Sequence, residues 1–137
     1  MRITFHSYIK TFKLNKKSHL KKWIQTIIEK NKKVPGNIFY SFVSDEEILK
    51  TNIQFLKHNT YTDIITFNYN DRKVINSEIF ISIERVRENA KILNENFEDE
   101  LHRVMIHGIL HLLGYSDKTK KEKELIRKKE NEYLKLL

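Results

Sequence analysis

Residues 107–117 read HGILHLLGYSD, a run in which two histidines lie four residues apart among apolar side chains. Because four residues make slightly more than one helical turn, the imidazoles of His107 and His111 project from one face of a helix. Gly114 can adopt the positive φ that ends a helix, so the chain can turn and bring Asp117 back toward that face. Two imidazoles and one carboxylate leave one position open on a tetrahedral metal ion, as in a catalytic zinc site.

Two other interpretations of this helix have to be weighed against metal binding. A histidine on an apolar face can be a core residue, although burying two imidazoles requires a polar partner for each. A metalloprotease helix reads H-E-x-x-H, with the glutamate as general base, whereas residue 108 is glycine. The helix therefore carries the metal ligands of a metalloprotease without its base, which argues against peptide hydrolysis.

The composition is typical of one compact domain. The chain has 137 residues, of which 39% are hydrophobic, and its three glycines and one proline predict short connections. The absence of cysteine excludes disulfides and thiolate metal ligands. It also suits a reducing cytoplasm, where we expect the protein to act. No apolar run suggests a signal peptide or a membrane span, so we expect neither.

The net charge of +8 is unevenly distributed along the chain. Residues 1–35 contain ten lysines or arginines and one acid, whereas residues 36–116 contain eight basic and twelve acidic residues. A positive N-terminal third predicts a surface that binds a polyanion, with nucleic acid first among the candidates, and Lys17, Lys21 and Lys22 lie on the polar face of a predicted helix there. Lysine outnumbers arginine twenty to six, so a biased coding composition would explain the charge without any binding role.

The spacing of apolar residues predicts the order β-α-β-α-β-β-α-α-α. The predicted strands are residues 2–8, 37–43, 62–67 and 78–82, and the predicted helices are residues 16–32, 44–55, 82–93, 96–113 and 119–135. A turn is predicted at residues 33–36, where proline and glycine are adjacent. We therefore predict a single α+β domain over residues 1–137, a small mixed four-stranded sheet packed with about five helices, one of them a buried, zincin-like metal helix.

Three segments together resemble the YbeY family of bacterial endoribonucleases. The family signature H-G-x-L-H-L-x-G-Y-D-H is matched within residues 107–117 at His107, Gly108, Leu110, His111, Leu112, Gly114 and Tyr115. Residues 62–67, TDIITF, are similar to the family segment T-D-V-L-S-F, and residues 77–82, SEIFIS, are similar to G-D-I-x-I-S. The resemblance covers about residues 37–137.

This resemblance implies a metal-dependent, single-strand-specific endoribonuclease. Its role would be maturation of the 3′ end of small-subunit ribosomal RNA and ribosome quality control, with ribosomal RNA and the small ribosomal subunit as partners. The resemblance also implies one divalent ion, zinc, held by His107, His111 and Asp117, with a metal-bound water as the nucleophile. The alternative is a non-catalytic ribosome assembly factor whose metal is structural.

Two departures from the family pattern change the expected chemistry. The third ligand is usually histidine, and the negative charge of Asp117 in its place should make the metal a weaker Lewis acid. The arginine that the family places six residues before T-D is Leu56 here, so another cation has to contact the scissile phosphate or cleavage is slower. Lys57 is a candidate, although a lysine in a loop is usually solvated. Asp63 is a candidate for proton transfer, and bracing the end of its strand is the alternative.

Overall fold

The computed structural model describes residues 1–56 and 62–137. The strands are β1 (Arg2–Ser7), β2 (Val34–Val43), β3 (Ile64–Asn68) and β4 (Val74–Ser82), and the α-helices are α1 (Lys17–Lys30), α2 (Asp45–Thr51), α3 (Ile83–Ile92), α4 (Phe97–Leu112) and α5 (Lys120–Leu134). One π-helical turn, Asn52–Leu56, continues α2. The predicted order of elements and the α+β class are confirmed.

The four strands form one mixed sheet in the order β1-β2-β4-β3. The first three strands of this order are parallel, and β3 runs antiparallel to β4, with Thr66 opposite Ile79. Because β3 is the last strand in the order, it forms one edge of the sheet. Helix α4 packs against both β3 and β4, so it lies over this edge of the sheet.

Helix α4 begins at a polar cap and continues into the core. The side-chain oxygen of Asn96 accepts hydrogen bonds from the backbone N–H groups of Glu98, at 2.8 Å, and Asp99, at 3.4 Å. Such a cap satisfies backbone N–H donors that have no partner within the helix. Acidic side chains in the first turn interact favourably with the helix dipole. The buried apolar residues of α4 are Leu101, Val104, Met105, Ile106, Ile109, Leu110 and Leu112. The predicted burial of this helix is therefore confirmed.

The end of α4 is set by Gly114, whose φ is 104°. The Tyr115 N–H donates to the Leu110 carbonyl and the Gly114 N–H donates to the His111 carbonyl, both at 3.0 Å. This pair of bonds is the Schellman pattern that closes a helix through a left-handed residue. The predicted turn at Gly114 is thus confirmed, and it directs the following residues back toward α4.

A second glycine determines how closely α4 approaches the sheet. A Cβ atom at Gly108 would lie 2.9 Å from Ile64 Cδ1 and 3.1 Å from Thr66 Oγ1, closer than real side chains pack. Glycine therefore lets the backbone of α4 lie directly on β3. The glutamate of a metalloprotease helix would fit at this position only if the Ile64 and Thr66 side chains moved.

The predicted turn at residues 33–36 is wrong in part, since β2 already begins at Val34. Val34 pairs with Val74, so both strands are longer than predicted, and the register shifts between Pro35 and Ile38. A proline lacks a backbone donor and is tolerated in a strand at such an irregularity. No helix within residues 1–56 or 62–137 combines the length and the apolar composition of a membrane span.

Candidate metal centre

The side chains of His107, His111 and Asp117 converge near the C-terminal end of α4. The two Nε2 atoms are 2.9 Å apart, and Asp117 Oδ2 lies 3.4 Å from His107 Nε2 and 3.3 Å from His111 Nε2. All three residues are partly exposed. Among the described residues, this is the one group of three histidines or acids whose donor atoms lie close enough together to hold a metal ion.

The spacing of these donors fits a divalent cation. Ligands bound tetrahedrally to zinc at about 2.0–2.1 Å are about 3.3 Å from one another. Both distances to Asp117 match this value, and the distance between the two histidine nitrogens, 2.9 Å, is slightly shorter. The three donor atoms face one point, so their lone pairs repel one another. A cation at that point would stabilise this arrangement. The triad could therefore hold a metal ion.

Glu130 of α5 lies behind His107, on the side away from the triad. Its Oε2 atom is 2.6 Å from His107 Nδ1. A carboxylate can only accept, so Nδ1 donates the proton and Nε2 presents its lone pair to the triad. Burial lowers the pKa of His107, but the hydrogen bond and charge of Glu130, together with the charges of Asp117 and Asp63, outweigh it and raise the pKa above its usual value. A carboxylate in this position orients a metal-binding imidazole and increases its basicity.

Glu130 is itself fixed in place by Arg103 of α4. The Arg103 Nη1 atom donates to Glu130 Oε1 at 3.2 Å and to Asn131 Oδ1 at 2.8 Å, and Glu130 is only 4% exposed. Sequence reasoning missed this carboxylate. The signal was available, because Ile126, Glu130 and Tyr133 have the i, i+4, i+7 spacing of the buried stripe of α5. An acid on such a stripe needs a buried partner.

Two cavities adjoin the triad. The first, about 310 Å³ in volume, lies between α4 and α5 and is lined mostly by charged side chains; we call it the α4–α5 cavity. The second, about 460 Å³, follows the edge strand and is lined by Thr62, Thr66 and Asn68; we call it the β3 cavity. His107 and Asp117 line both cavities, so the triad is accessible from two sides.

Asp63, the sequence candidate for proton transfer, also lines both cavities. Burial raises the pKa of its carboxyl group, while the charge of His107 and a hydrogen bond from Asn89, at 3.4 Å, act in the opposite direction. Its backbone carbonyl accepts a hydrogen bond from the N–H of Ser82 at 2.9 Å. The main chain of Asp63 thus braces the start of β3, while its side chain stays next to the triad.

The family of the chain follows from comparison with known proteins. The family model described as Endoribonuclease YbeY matches residues 5–137. The chain belongs to the YbeY family. A protein named Endoribonuclease YbeY from Christiangramia forsetii is 46% identical over 125 residues, which is 91% of this chain and 87% of the relative. One of the same name from Cytophaga hutchinsonii is 47% identical over 126 residues, or 91% and 88% of the two chains.

A solved structure supports the same relationship. The solution structure of a Thermotoga maritima protein matches 97% of this chain and 87% of its own length, with 31% sequence identity and a TM-score of 0.69. The resemblance that rested on three short motifs therefore extends over nearly the whole YbeY-like chain, including the first strand and helix.

The three N-terminal lysines do not line the cavities beside the triad of this YbeY family member. Helix α1 docks through Trp23, whose Nε1 donates to the Tyr133 carbonyl at 2.8 Å. Lys17 and Lys22 are exposed and Lys21 is half-buried. None of the three lines the α4–α5 cavity or the β3 cavity. Any role in RNA binding would be on a surface separate from the triad.

The position of the family arginine is also apart from the triad in this YbeY family member. Leu56 ends the π-helical turn, is 42% exposed, and lines neither of the two cavities. Lys57, the neighbouring cation suggested by the sequence, lies outside the described residues. A cation next to the triad therefore has to be sought among the residues that line the cavities.

Proposed function

We propose that this protein is a zinc-dependent endoribonuclease that cleaves single-stranded ribosomal RNA in the cytoplasm, with one domain over residues 1–137. The observation that carries the proposal is the triad, whose donor atoms converge at 2.9–3.4 Å between two open cavities. Zinc is favoured because two imidazoles and one carboxylate form a typical catalytic zinc set with one open position. The curated relatives are named as endoribonucleases.

Different groups at the triad would supply different parts of the hydrolysis reaction. A divalent ion, when bound, supplies a Lewis acid for the phosphate and lowers the pKa of water. Glu130 keeps His107 in the tautomer that can act as a ligand. Asp63 offers a carboxyl group beside the triad, and since burial raises its pKa, it can take up a proton more readily than an exposed aspartate. These roles suit hydrolysis of a phosphodiester.

A single strand suits the shape of this site better than a duplex. The triad is recessed between the α4–α5 cavity and the β3 cavity, so a backbone has to bend to reach it from either side. Unpaired RNA can splay its nucleotides in this way, whereas an A-form duplex presents a rigid surface. We propose as substrate the 3′ region of small-subunit ribosomal RNA, with the small subunit as partner and ribosome quality control as a second role.

Cleavage of a defined RNA tests this function. Protein stripped of metal with a chelator and reloaded with zinc should cut an oligonucleotide of the 3′ ribosomal sequence, and the stripped protein should not. The same oligonucleotide annealed to its complement should be cut more slowly. Denaturing gels resolve the products. Folded, zinc-loaded protein that leaves both substrates intact would contradict the enzyme and favour an assembly factor with a structural metal.

The exposed basic face of α1 is proposed to bind RNA away from the triad. Reversing Lys17, Lys21 and Lys22 to glutamate should weaken binding to all single-stranded RNAs about equally, because phosphate contacts carry no sequence preference. Removing one lysine–phosphate interaction should flatten the dependence of log affinity on log salt by about 0.7, so the triple variant should flatten it by about 2. Titration at several salt concentrations measures this slope, while metal content should be unchanged.

A second triple variant separates direct phosphate binding from net charge. Reversal of three exposed lysines outside the N-terminal third changes the charge by the same amount: Lys50, Lys73 and Lys91. This control should change the dependence of log affinity on log salt much less than the reversal of Lys17, Lys21 and Lys22. Equal slopes in the two triple variants would favour the compositional explanation of the N-terminal lysines.

A further inference from the structure

The α4–α5 cavity carries two cations that the function described so far does not use. Lys123 and Arg127 lie four residues apart on α5, and therefore on one face of that helix. Both line the cavity together with His107 and Asp117 of the triad. A ligand in this cavity would touch the metal centre on one side and these two cations on the other.

We propose that Lys123 and Arg127 of α5 bind the RNA phosphate next to the metal centre and so supply the positive charge that Leu56 does not provide. The proposal rests on the proposed endoribonuclease function and adds the residues that hold its substrate. A planar guanidinium can bind two phosphate oxygens at once, and a lysine adds a compact charge. Together with a divalent ion, they would clamp one phosphodiester from two sides.

The third cation of the cavity is not available for this role. The side chain of Arg103 is 15% exposed and is already bonded to Glu130 and Asn131. The side chain of Arg127, by contrast, is 53% exposed, and its contact with Glu130 is long, at 3.9 Å. Lys123 is exposed and forms no ion pair with any residue in the described parts of the chain. Lys123 and Arg127 can therefore turn toward an incoming anion.

The acids of the cavity do not cancel this attraction. Glu130 is neutralised by Arg103, and Asp117 faces the metal position. Glu100 is buried and lies 3.8 Å from the Arg103 guanidinium, and the Asp63 carboxylate accepts a hydrogen bond from Asn89. Lys123 and Arg127 are thus exposed to an incoming phosphate, whereas Glu100 and Glu130 are buried.

A pair of matched double variants tests the proposal. The Lys123→Gln/Arg127→Gln double variant, which we call the cavity variant, removes the two cavity cations. Lys121→Gln/Lys128→Gln removes the same charge from exposed positions on the opposite face of α5. All proteins are zinc-loaded, and the probe is a single-stranded 2′-O-methyl RNA oligonucleotide, shown by gel to remain intact.

The cavity variant should bind this probe at least about tenfold more weakly than the wild type, since each charged hydrogen bond to phosphate typically contributes a factor of this size. In the cavity variant, the slope of log affinity against log salt should become shallower by about 1.4. The Lys121→Gln/Lys128→Gln control should keep nearly the affinity and the slope of the wild type. Cleavage of unmodified RNA should fall in the cavity variant alone. The Arg127→Lys variant should bind the probe more tightly than the Lys123→Gln/Arg127→Gln variant and less tightly than the wild type. Lysine keeps the charge but lacks the two-pronged geometry of the guanidinium.

The possible outcomes separate this proposal from the proposed function. Equal binding by the two double variants would overturn the proposal, whether or not the wild type cleaves RNA. Loss of zinc from the cavity variant would overturn it too, because the two residues would then act through the metal centre. If the wild type binds the probe but cleaves no RNA, the endoribonuclease function fails. The ratio of affinities then still decides whether Lys123 and Arg127 hold phosphate.

Discussion

The His111→Ala variant should contain no stoichiometric zinc and should cleave RNA at least about 10³-fold more slowly than the wild type. His111 supplies one of three donors, and its Nε2 lies within 3.3 Å of both of the other donor atoms. Two remaining ligands leave a site that exchanges its ion with solvent. Losing several kcal/mol of transition-state stabilisation corresponds to a rate loss of this size. Elemental analysis and cleavage time courses measure the two effects.

His102→Ala is the matched control for this variant. His102 lies on the same helix, but its ring packs edge-on against Trp23, with 6.3 Å between ring centroids, and is not part of the triad. Its loss should leave zinc content and cleavage rate near those of the wild type. Circular dichroism shows whether either protein has unfolded. A His111→Ala protein that keeps one tightly bound zinc ion would mean that the ion binds elsewhere.

The Glu130→Gln variant should bind zinc about 10–100-fold more weakly, the usual cost of losing a carboxylate behind a metal-binding histidine. A glutamine side chain has the same shape, so packing against α4 is preserved. Its amide carries no charge to support His107, and the ion pair between Arg103 and residue 130 is lost. Competition with a chromogenic chelator measures the affinity of the folded protein for zinc, independently of RNA cleavage.

Glu132→Gln provides the comparison on the same helix. The Glu132 side chain is 57% exposed and pairs with Lys129 at 3.3 Å, away from the triad. Its loss should leave zinc affinity unchanged, because an exposed ion pair contributes little. If Glu130→Gln binds zinc as tightly as this control, then Glu130 serves only to join α4 and α5.

Much of the fold could be predicted because its signals are local. Alternation of apolar residues marks the strands, and the caps Ser44 and Asn96 mark helix starts that the structure confirms. The start of β2 could not be predicted in this way. It depends on the pairing of Val34 with Val74, which are forty residues apart, and this pairing overrides the turn preference of the proline and glycine that follow.

The same distinction applies to the metal centre. Helical spacing predicts that His107 and His111 face one point, and the turn at Gly114 predicts the return of Asp117. The spacing of Glu130 with Ile126 and Tyr133 indicates that it is buried, but its contact with His107 depends on the docking of α5 against α4, which no short-range pattern specifies. Sequence therefore predicts that the three candidate ligands converge, whereas the carboxylate behind His107 and the cations of the adjoining cavity come together only through the packing of two helices.

The close approach of α4 to the sheet at Gly108 also limits which reactions this scaffold can acquire. The paired histidines are common to peptidases and to this family, but a peptidase needs a glutamate at the position where even one added carbon would meet Ile64. A glutamate there would require the ends of the Ile64 and Thr66 side chains to move, and so would disturb the packing of α4 on β3. The close packing of helix and strand at Gly108, and not the pair of histidines, thus opposes the gain of peptidase chemistry by a single substitution.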